Sequence, residues 1–243
     1  MKINFSKYFK ISNILSVVFF TVSILFILFK GLNYGIDFKG GTLFEIQTNK
    51  NISTLNIRDI LKNLQLGDVN VKNFGEKGNF LIKVEQTDNK QTIPLIKKNL
   101  LENLSDEVNF RRVEKVGPKV SSELLKSGII SICLALFAML FYIWIRFEWQ
   151  FSLGSIIALF HDVVITLGIF SLLSIEINLS IVAAVLTIVG YSMNDTVVIY
   201  DRIRENLSKY NRVNITEISD ISINETLSRT LITSVTTLLA LFS

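Results

Sequence analysis

Four stretches of this chain, residues 11–29, 128–145, 151–175 and 177–200, are each apolar for the length needed to cross a lipid bilayer. A hydrocarbon core of roughly 30 Å takes about 20 apolar residues at a rise of 1.5 Å each. Backbone inside it has no water to bond, and continuous rather than alternating apolar runs satisfy themselves as helices. A fifth run begins near Leu227 and is still apolar at Ser243, so an incomplete last span is expected, as in a fragment or truncated product, and any sixth span lies outside the sequence. These runs coexist with 19% charged residues against 49% hydrophobic, too many charges for a chain that is all membrane. A water-exposed part is therefore required.

The first run exceeds the apolar core of a secretory leader, and Lys30, Gly31, Leu32 and Asn33 offer no small-residue cleavage site, so it is expected to remain as an anchor. Lys2, Lys7 and Lys10 precede it, Arg146 lies between the second and third runs, and Arg202, Arg204, Lys209 and Arg212 follow the fourth. The loop between the third and fourth runs carries only Glu176. Positive residues stay on the cytoplasmic side, which predicts a cytoplasmic N-terminus and a long outer segment after the first run. Trp144, Trp149 and Tyr142 fit an interfacial aromatic belt on the cytoplasmic side. Three parts are predicted: residues 1–30 as tail and first helix, 31–126 as an extracytoplasmic domain, and 127–243 as the remaining helices with a cytoplasmic loop at 201–226.

Within the outer segment, alternating and helical spacings predict strand 42–47, a helix capped by Ser53 and running to Leu64, strands 69–74 and 80–86, a helix over 93–104 and strand 108–113. Gly75, Glu76, Lys77 and Gly78 supply a hairpin turn. A β-α-β-β-α-β order of this length predicts a ferredoxin-like α+β unit beside an α-helical polytopic membrane part with five visible spans, the last incomplete. The unit serves equally as a rigid docking module or as a surface that grips substrate; its strand edges are where an extended polypeptide could add.

The net charge of +4 is spread along the chain without a basic cluster interleaved with aromatics, which argues against nucleic acid. Cys133 and His161 are each the single residue of their kind, so no internal disulfide, His/Cys metal cluster or Cys/His nucleophile is expected. With no phosphate loop or nucleophile and base either, an enzyme is the least expected reading, and no cofactor is called for.

Ionisable side chains at bilayer depth cost several kcal/mol and persist where they pair or line a cavity. Asp195 lies roughly 9 Å inside the fourth run, counted from Asp201 at 1.5 Å per residue, and its side chain is too short to reach the interface. Asn194 adjoins it, and Ala184, Thr187 and Tyr191 are expected on its face. Arg229 enters the fifth run to similar depth, with Thr233, Thr236 and Ala240 expected on its face, so that the two charges could meet. Such a pair either couples a proton to helix movement or is a static ion pair that fixes packing. His161 and Asp162 fall in the middle of the third run. Adjacent helical residues diverge by about 100°, so they cannot share one partner, and one of them is expected to be a packing or water-contacting group. Asp37 and Glu45 read as ordinary solvated or turn residues.

Six separated motifs, in order, resemble the SecF branch of the SecD/SecF family within the resistance-nodulation-division superfamily. They are Asn33 through Gly41, where many members carry threonine in place of Lys39; Val116 through Val120 and on to Leu124; Arg146-Phe147-Glu148-Trp149; His161-Asp162; Gly190 through Val198 with Asp201 through Asn206; and Ser222 through Thr230. The resemblance implies a six-span subunit of the bacterial inner membrane that pairs with SecD and uses the proton gradient to help polypeptides leave the SecYEG channel. It also implies that Asp195 and Arg229 belong to the proton path, the proton being the coupling ion. The competing reading is a passive assembly scaffold for SecD or the translocase, and a small-molecule or lipid exporter of the superfamily is a third. The predicted topology is open to cysteine labelling: an impermeant maleimide added outside should modify Asn73→Cys and not Asn211→Cys, and the reverse pattern would invert the assignment.

Overall fold

The computed structural model describes residues 3–48, 52–62, 64, 66–67, 69–84, 92–104, 108–210 and 213–242. A 3-10 turn, Phe5–Tyr8, leads into α1 (Phe9–Lys30), followed by β1 (Asn33–Tyr34), α2 (Ile36–Lys39), β2 (Gly41–Thr48), α3 (Thr54–Lys62), β3 (Val69–Asn73) and β4 (Asn79–Val84). Then come α4 (Thr92–Leu104), β5 (Val108–Val116), α5 (Pro118–Arg146), α6 (Trp149–Leu173), β6 (Glu176–Ile177), α7 (Leu179–Lys209) and α8 (Ile215–Phe242). Two compact units result: Met1–Asn33, Ile132–Ile175 and Ile181–Ser243 form one, and Tyr34–Ser131 with Glu176–Ser180 the other.

In the first unit, among the described residues, four helices are long and apolar enough to cross a membrane: the 3-10 turn with α1, α5, α6 and α7. Their outward faces are apolar, as at Phe19, Leu28, Phe137 and Phe160, which suits lipid rather than water. Small residues bring α1 and α6 together: a Cβ on Gly168 would stand 2.3 Å from the Cβ of Ser23. Close backbone approach is how membrane helices gain contact, since lipid is as apolar as leucine. Ser171 seals the pair by donating from Oγ to the carbonyl oxygen of Phe26 at 2.9 Å. Ile143, Phe147, Leu159, Val189 and Met193 form a buried cluster that joins α5, α6 and α7.

One end of α8 holds the start of the chain. Asn224 accepts from the Ile3 amide at 2.9 Å and donates to the Ile3 carbonyl at 2.7 Å. Asp220 accepts from the amide and hydroxyl of Ser6 at 2.8 and 2.6 Å.

The segment 201–226, expected as a loop, is helical apart from Tyr210, Val213 and Asn214 among its described residues. Charges had marked it as lying outside the membrane, yet Arg202, Glu205 and Lys209 are spaced to pair along one helix and do so, each contact 2.6 Å. Similarly α5 starts at Pro118, ten residues before the apolar run, a proline at the first helical position being preorganised for it.

The second unit has the expected β-α-β-β-α-β order, in an antiparallel sheet ordered β3-β4-β2-β5. Ser53 accepts from the Asn56 amide at 3.3 Å and so starts α3. The strand expected over 80–86 runs Asn79–Val84 among described residues, the rest of it lying outside them, and β5 extends to Val116. Phe44, Ile46, Phe80, Ile82, Ile57, Leu61, Ile96 and Leu100 make the core under α3 and α4. Gly41 enters β2 at φ 126°, and a Cβ there would come within 2.6 Å of the Val84 carbonyl oxygen, so only glycine fits.

The loop after α6 belongs to this unit, which sequence reasoning did not foresee. Gly35 donates to the Ile177 carbonyl at 2.9 Å, and Asp37, expected as a solvated residue, accepts from the Leu179 amide at 3.0 Å at the first turn of α7. With a closed core of its own, residues 36–116 cut from the chain should unfold in one cooperative transition, and Phe44→Ala should cost about 3–5 kcal/mol of that stability. A gradual, non-cooperative melt monitored by circular dichroism would show that the unit depends on the rest of the chain.

Candidate functional site

A line of polar side chains crosses three helices of the first unit. Ser16 of α1 meets His161 Nε2 of α6 at 2.6 Å, His161 Nδ1 meets Asp162 Oδ1 at 3.0 Å, and Ser192 Oγ of α7 donates to Asp162 Oδ2 at 2.6 Å. Phe20 stacks parallel to the imidazole, ring centres 6.0 Å apart. The neighbours do diverge to different helices, one to α1 and one to α7. The expectation that one of the two is only a packing or water-contacting group is not met, because both are hydrogen-bonded and to each other as well. Such a chain can pass a proton by turning hydroxyls and switching the imidazole tautomer. Ser16 and Ser192 were not foreseen; a serine inside an apolar run was their sequence signal.

Asp195 is half-buried on α7. Among the described residues it has neither a hydrogen-bond partner nor a cation within 4.0 Å. Asn194 beside it is exposed. Arg229 is exposed on α8 and makes no ion pair with Asp195 or with any other described acid. The face expected to carry Arg229 with Thr233, Thr236 and Ala240 is not the inward one: Thr226, Thr230, Thr233, Ser234 and Thr237 are the more buried positions, with Thr236 and Ala240 exposed. Likewise Ala184 and Thr187, expected on the Asp195 face, are exposed.

Below Asp195 the motifs around Arg202 and Glu225 lock into each other. Arg202 donates to Glu225 Oε2 and to Glu205 Oε2, both at 2.6 Å. Asn206, almost wholly buried, donates to Ser222 Oγ at 3.0 Å and to Glu225 Oε2 at 2.8 Å. The Arg202 guanidinium, and after it the Asn206 amide, hold the Glu225 carboxyl below the ordinary glutamate range. Its folded value being depressed, the ion pair is intact above that range and is lost only as pH falls through the folded value. Arg146 and Arg204 share Asp201 at 3.3 and 3.0 Å. The charged groups Arg146, Asp201, Arg202, Arg204, Glu205 and Glu225 line a cleft of about 730 Å³, and Arg229, also in its lining, is its unpaired cation among the described residues.

Two family models match the chain: "Protein export membrane protein SecD/SecF, C-terminal" over residues 96–243, and "SecD/SecF GG Motif" over residues 25–52. The protein translocase subunit SecF of Rickettsia felis is 43% identical over 98% of this chain and 78% of its own length, and that of Rickettsia bellii is 44% identical over 98% and 79%. Among solved structures, SecDF of Thermus thermophilus, described as a translocon-associated membrane protein, superposes with a TM-score of 0.88 at 32% identity. A SecDF crystal form called super-membrane-facing superposes with 0.68. The chain spans a third of each SecDF chain and 98% of itself in both comparisons. Motifs, helices and sheet agree along nearly the whole length, and the chain belongs to the SecD/SecF family of protein export membrane proteins.

Proposed function

We propose that this chain works as the SecF-type subunit of a Sec translocase, a multi-pass protein of the bacterial inner membrane that with SecD uses the proton-motive force to promote polypeptide export from the SecYEG channel. In this reading the part of α8 from near Leu227 is the fifth span, the N-terminus and residues 201–226 are cytoplasmic, and the second unit is a ferredoxin-like domain facing outward, with membrane lipid around the helices. The sheet order β3-β4-β2-β5 supports the ferredoxin-like assignment. Identity to proteins named protein translocase subunit SecF supports the reading as a translocase subunit.

The observation that carries the coupling role is the isolation of Asp195. A carboxylate at bilayer depth keeps its charge only beside a cation or water, and otherwise takes up a proton. Among the described residues Asp195 stands without a counter-ion, and Arg229 lines the cleft without an ion pair. A shift of α8 against α7 that brings the guanidinium closer would favour the charged form, and its withdrawal would favour protonation. Helix position and proton occupancy are then two readings of one equilibrium. His161 and Asp162 extend the polar route toward α1, and Asn194 presents an amide on the exposed face.

The test is gradient-stimulated export by full-length protein with SecD in vesicles. Asp195→Asn should accumulate normally, since removing a charge lowers insertion cost, and should export only at the level seen without a gradient. Arg229→Lys should lose part of the stimulation and Arg229→Ala nearly all, because the planar guanidinium is replaced by a point charge in one and by nothing in the other. If the doubly neutral protein, Asp195→Asn with Arg229→Ala, exports like the parent, coupling is wrong and the passive scaffold is the correct reading.

A further inference from the structure

The hydroxyls of α7 and α8 are not all satisfied alike. Thr226, Thr233 and Thr236 each donate to the carbonyl one turn back, at 2.9, 3.0 and 2.9 Å, and Thr187 and Thr196 do the same on α7 at 2.9 and 3.0 Å. Thr230 does not: its Oγ1 is buried and has no hydrogen-bond partner among the described residues. Across from it, the Tyr191 hydroxyl is also buried without a bond of proper geometry, although the hydroxyls of Thr237, Ser234 and Thr233 surround it. A buried hydroxyl left unmade costs about 1–3 kcal/mol, and inside a membrane no bulk solvent relieves it.

The register of the two helices puts both hydroxyls within about one turn of the level of Asp195. Asn206 meets Ser222, Arg202 meets Glu225, and Tyr191 meets Ser234 and Thr237, so the helices run antiparallel with pairs advancing together. Continuing that register, Thr230 and Thr233 fall level with Asp195. Tyr191 is one turn from Asp195 on its own helix, on the same side of it.

We propose that the hydroxyls of Tyr191 and Thr230 line a buried water site between α7 and α8, and that this water delivers the proton to the Asp195 carboxylate. The inference rests on the reading of Asp195 as the titrating group and adds the route by which it is served. A buried water takes two to four polar partners, and the two orphaned hydroxyls with the carboxylate supply them. The hydroxyls keep their own protons. A hydronium arriving at the site gives its proton to a carboxylate oxygen and remains as water, while Tyr191 and Thr230, each able to donate and accept, hold it in line. Arg229 sets when Asp195 accepts the proton; the two hydroxyls set how fast it arrives.

The experiment compares Tyr191→Phe, Thr230→Val, Thr230→Ser and Asp195→Asn in full-length protein reconstituted with SecD, reading lumenal pH under an imposed gradient and thermal stability of the same samples. Packing alone predicts that deleting an unpaired buried hydroxyl leaves stability equal or higher and flux unchanged. The water site predicts equal or higher stability in Tyr191→Phe and Thr230→Val with flux reduced roughly tenfold, about 1.4 kcal/mol in barrier. Thr230→Ser, which keeps the hydroxyl, should conduct like the parent. Parental flux in Tyr191→Phe and Thr230→Val together with lost flux in Asp195→Asn would overturn the water site and leave the coupling role standing. Parental flux in Asp195→Asn would overturn both, and a flux that follows an imposed sodium gradient with no response to pH would replace the water by a metal cation.

Discussion

Inside hydrocarbon no solvent completes a polar group, and every donor or acceptor that enters must bring its partner from the same chain. The helices answer this for the backbone. For side chains the answer is local and sparse: Ser171 turns to the Phe26 carbonyl, Ser16 and Ser192 flank His161 and Asp162, and threonines fold back on their own helices. Because these bonds are few, each decides how two helices face one another. Among the described residues the buried side-chain hydroxyls of Tyr191 and Thr230 depart from this rule, with no hydrogen bond of their own.

Balance between fixed and adjustable contacts follows the chain from one end of α7 to the other. Near Arg202 and Asn206 the helix is bound to α8 by ion pairs and a buried amide, a joint with partners on both sides. Near Asp195 the ionic contacts stop. The two helices are thus tied by ionic contacts at one end, while in the middle α7 bonds α6 instead, through Ser192 and Asp162. This arrangement also gives a physical reason for the residue types in the two motifs: Arg202, Asn206, Ser222 and Glu225 are partners in one knot.

What could be read from the amino acids alone was set by how far each signal reaches. Apolar runs, Asp195 in one of them and the alternation in β2 and β4 are local and legible. The helical course of 201–226 was hidden because charge marks solvent as readily in a loop as in a helix, and only the Arg202, Glu205 and Lys209 spacing distinguished them. The azimuth of α8 was not legible. It is set by Ser222 bonding to Asn206 and by Asp220 bonding to Ser6, contacts that no periodicity announces, and it turns Thr230 inward and Arg229 into the cleft. Asp37 looked like a turn residue since its partner amide, Leu179, is 142 positions away.

The bonds from Ile3 and Ser6 to Asn224 and Asp220 close over 221 and 214 positions, so residues 3 and 6 wait for α8. Contacts of such separation form late, after the loop between them has been ordered by other means. During synthesis the N-terminal turn is therefore unmatched while α1, the sheet unit, α5, α6 and α7 are made, and α8 supplies its partners afterwards. Until α8 has been made and turned to this azimuth, Asn224 and Asp220 are not there to hold Ile3 and Ser6, so the contact tests the placement of both segments at once.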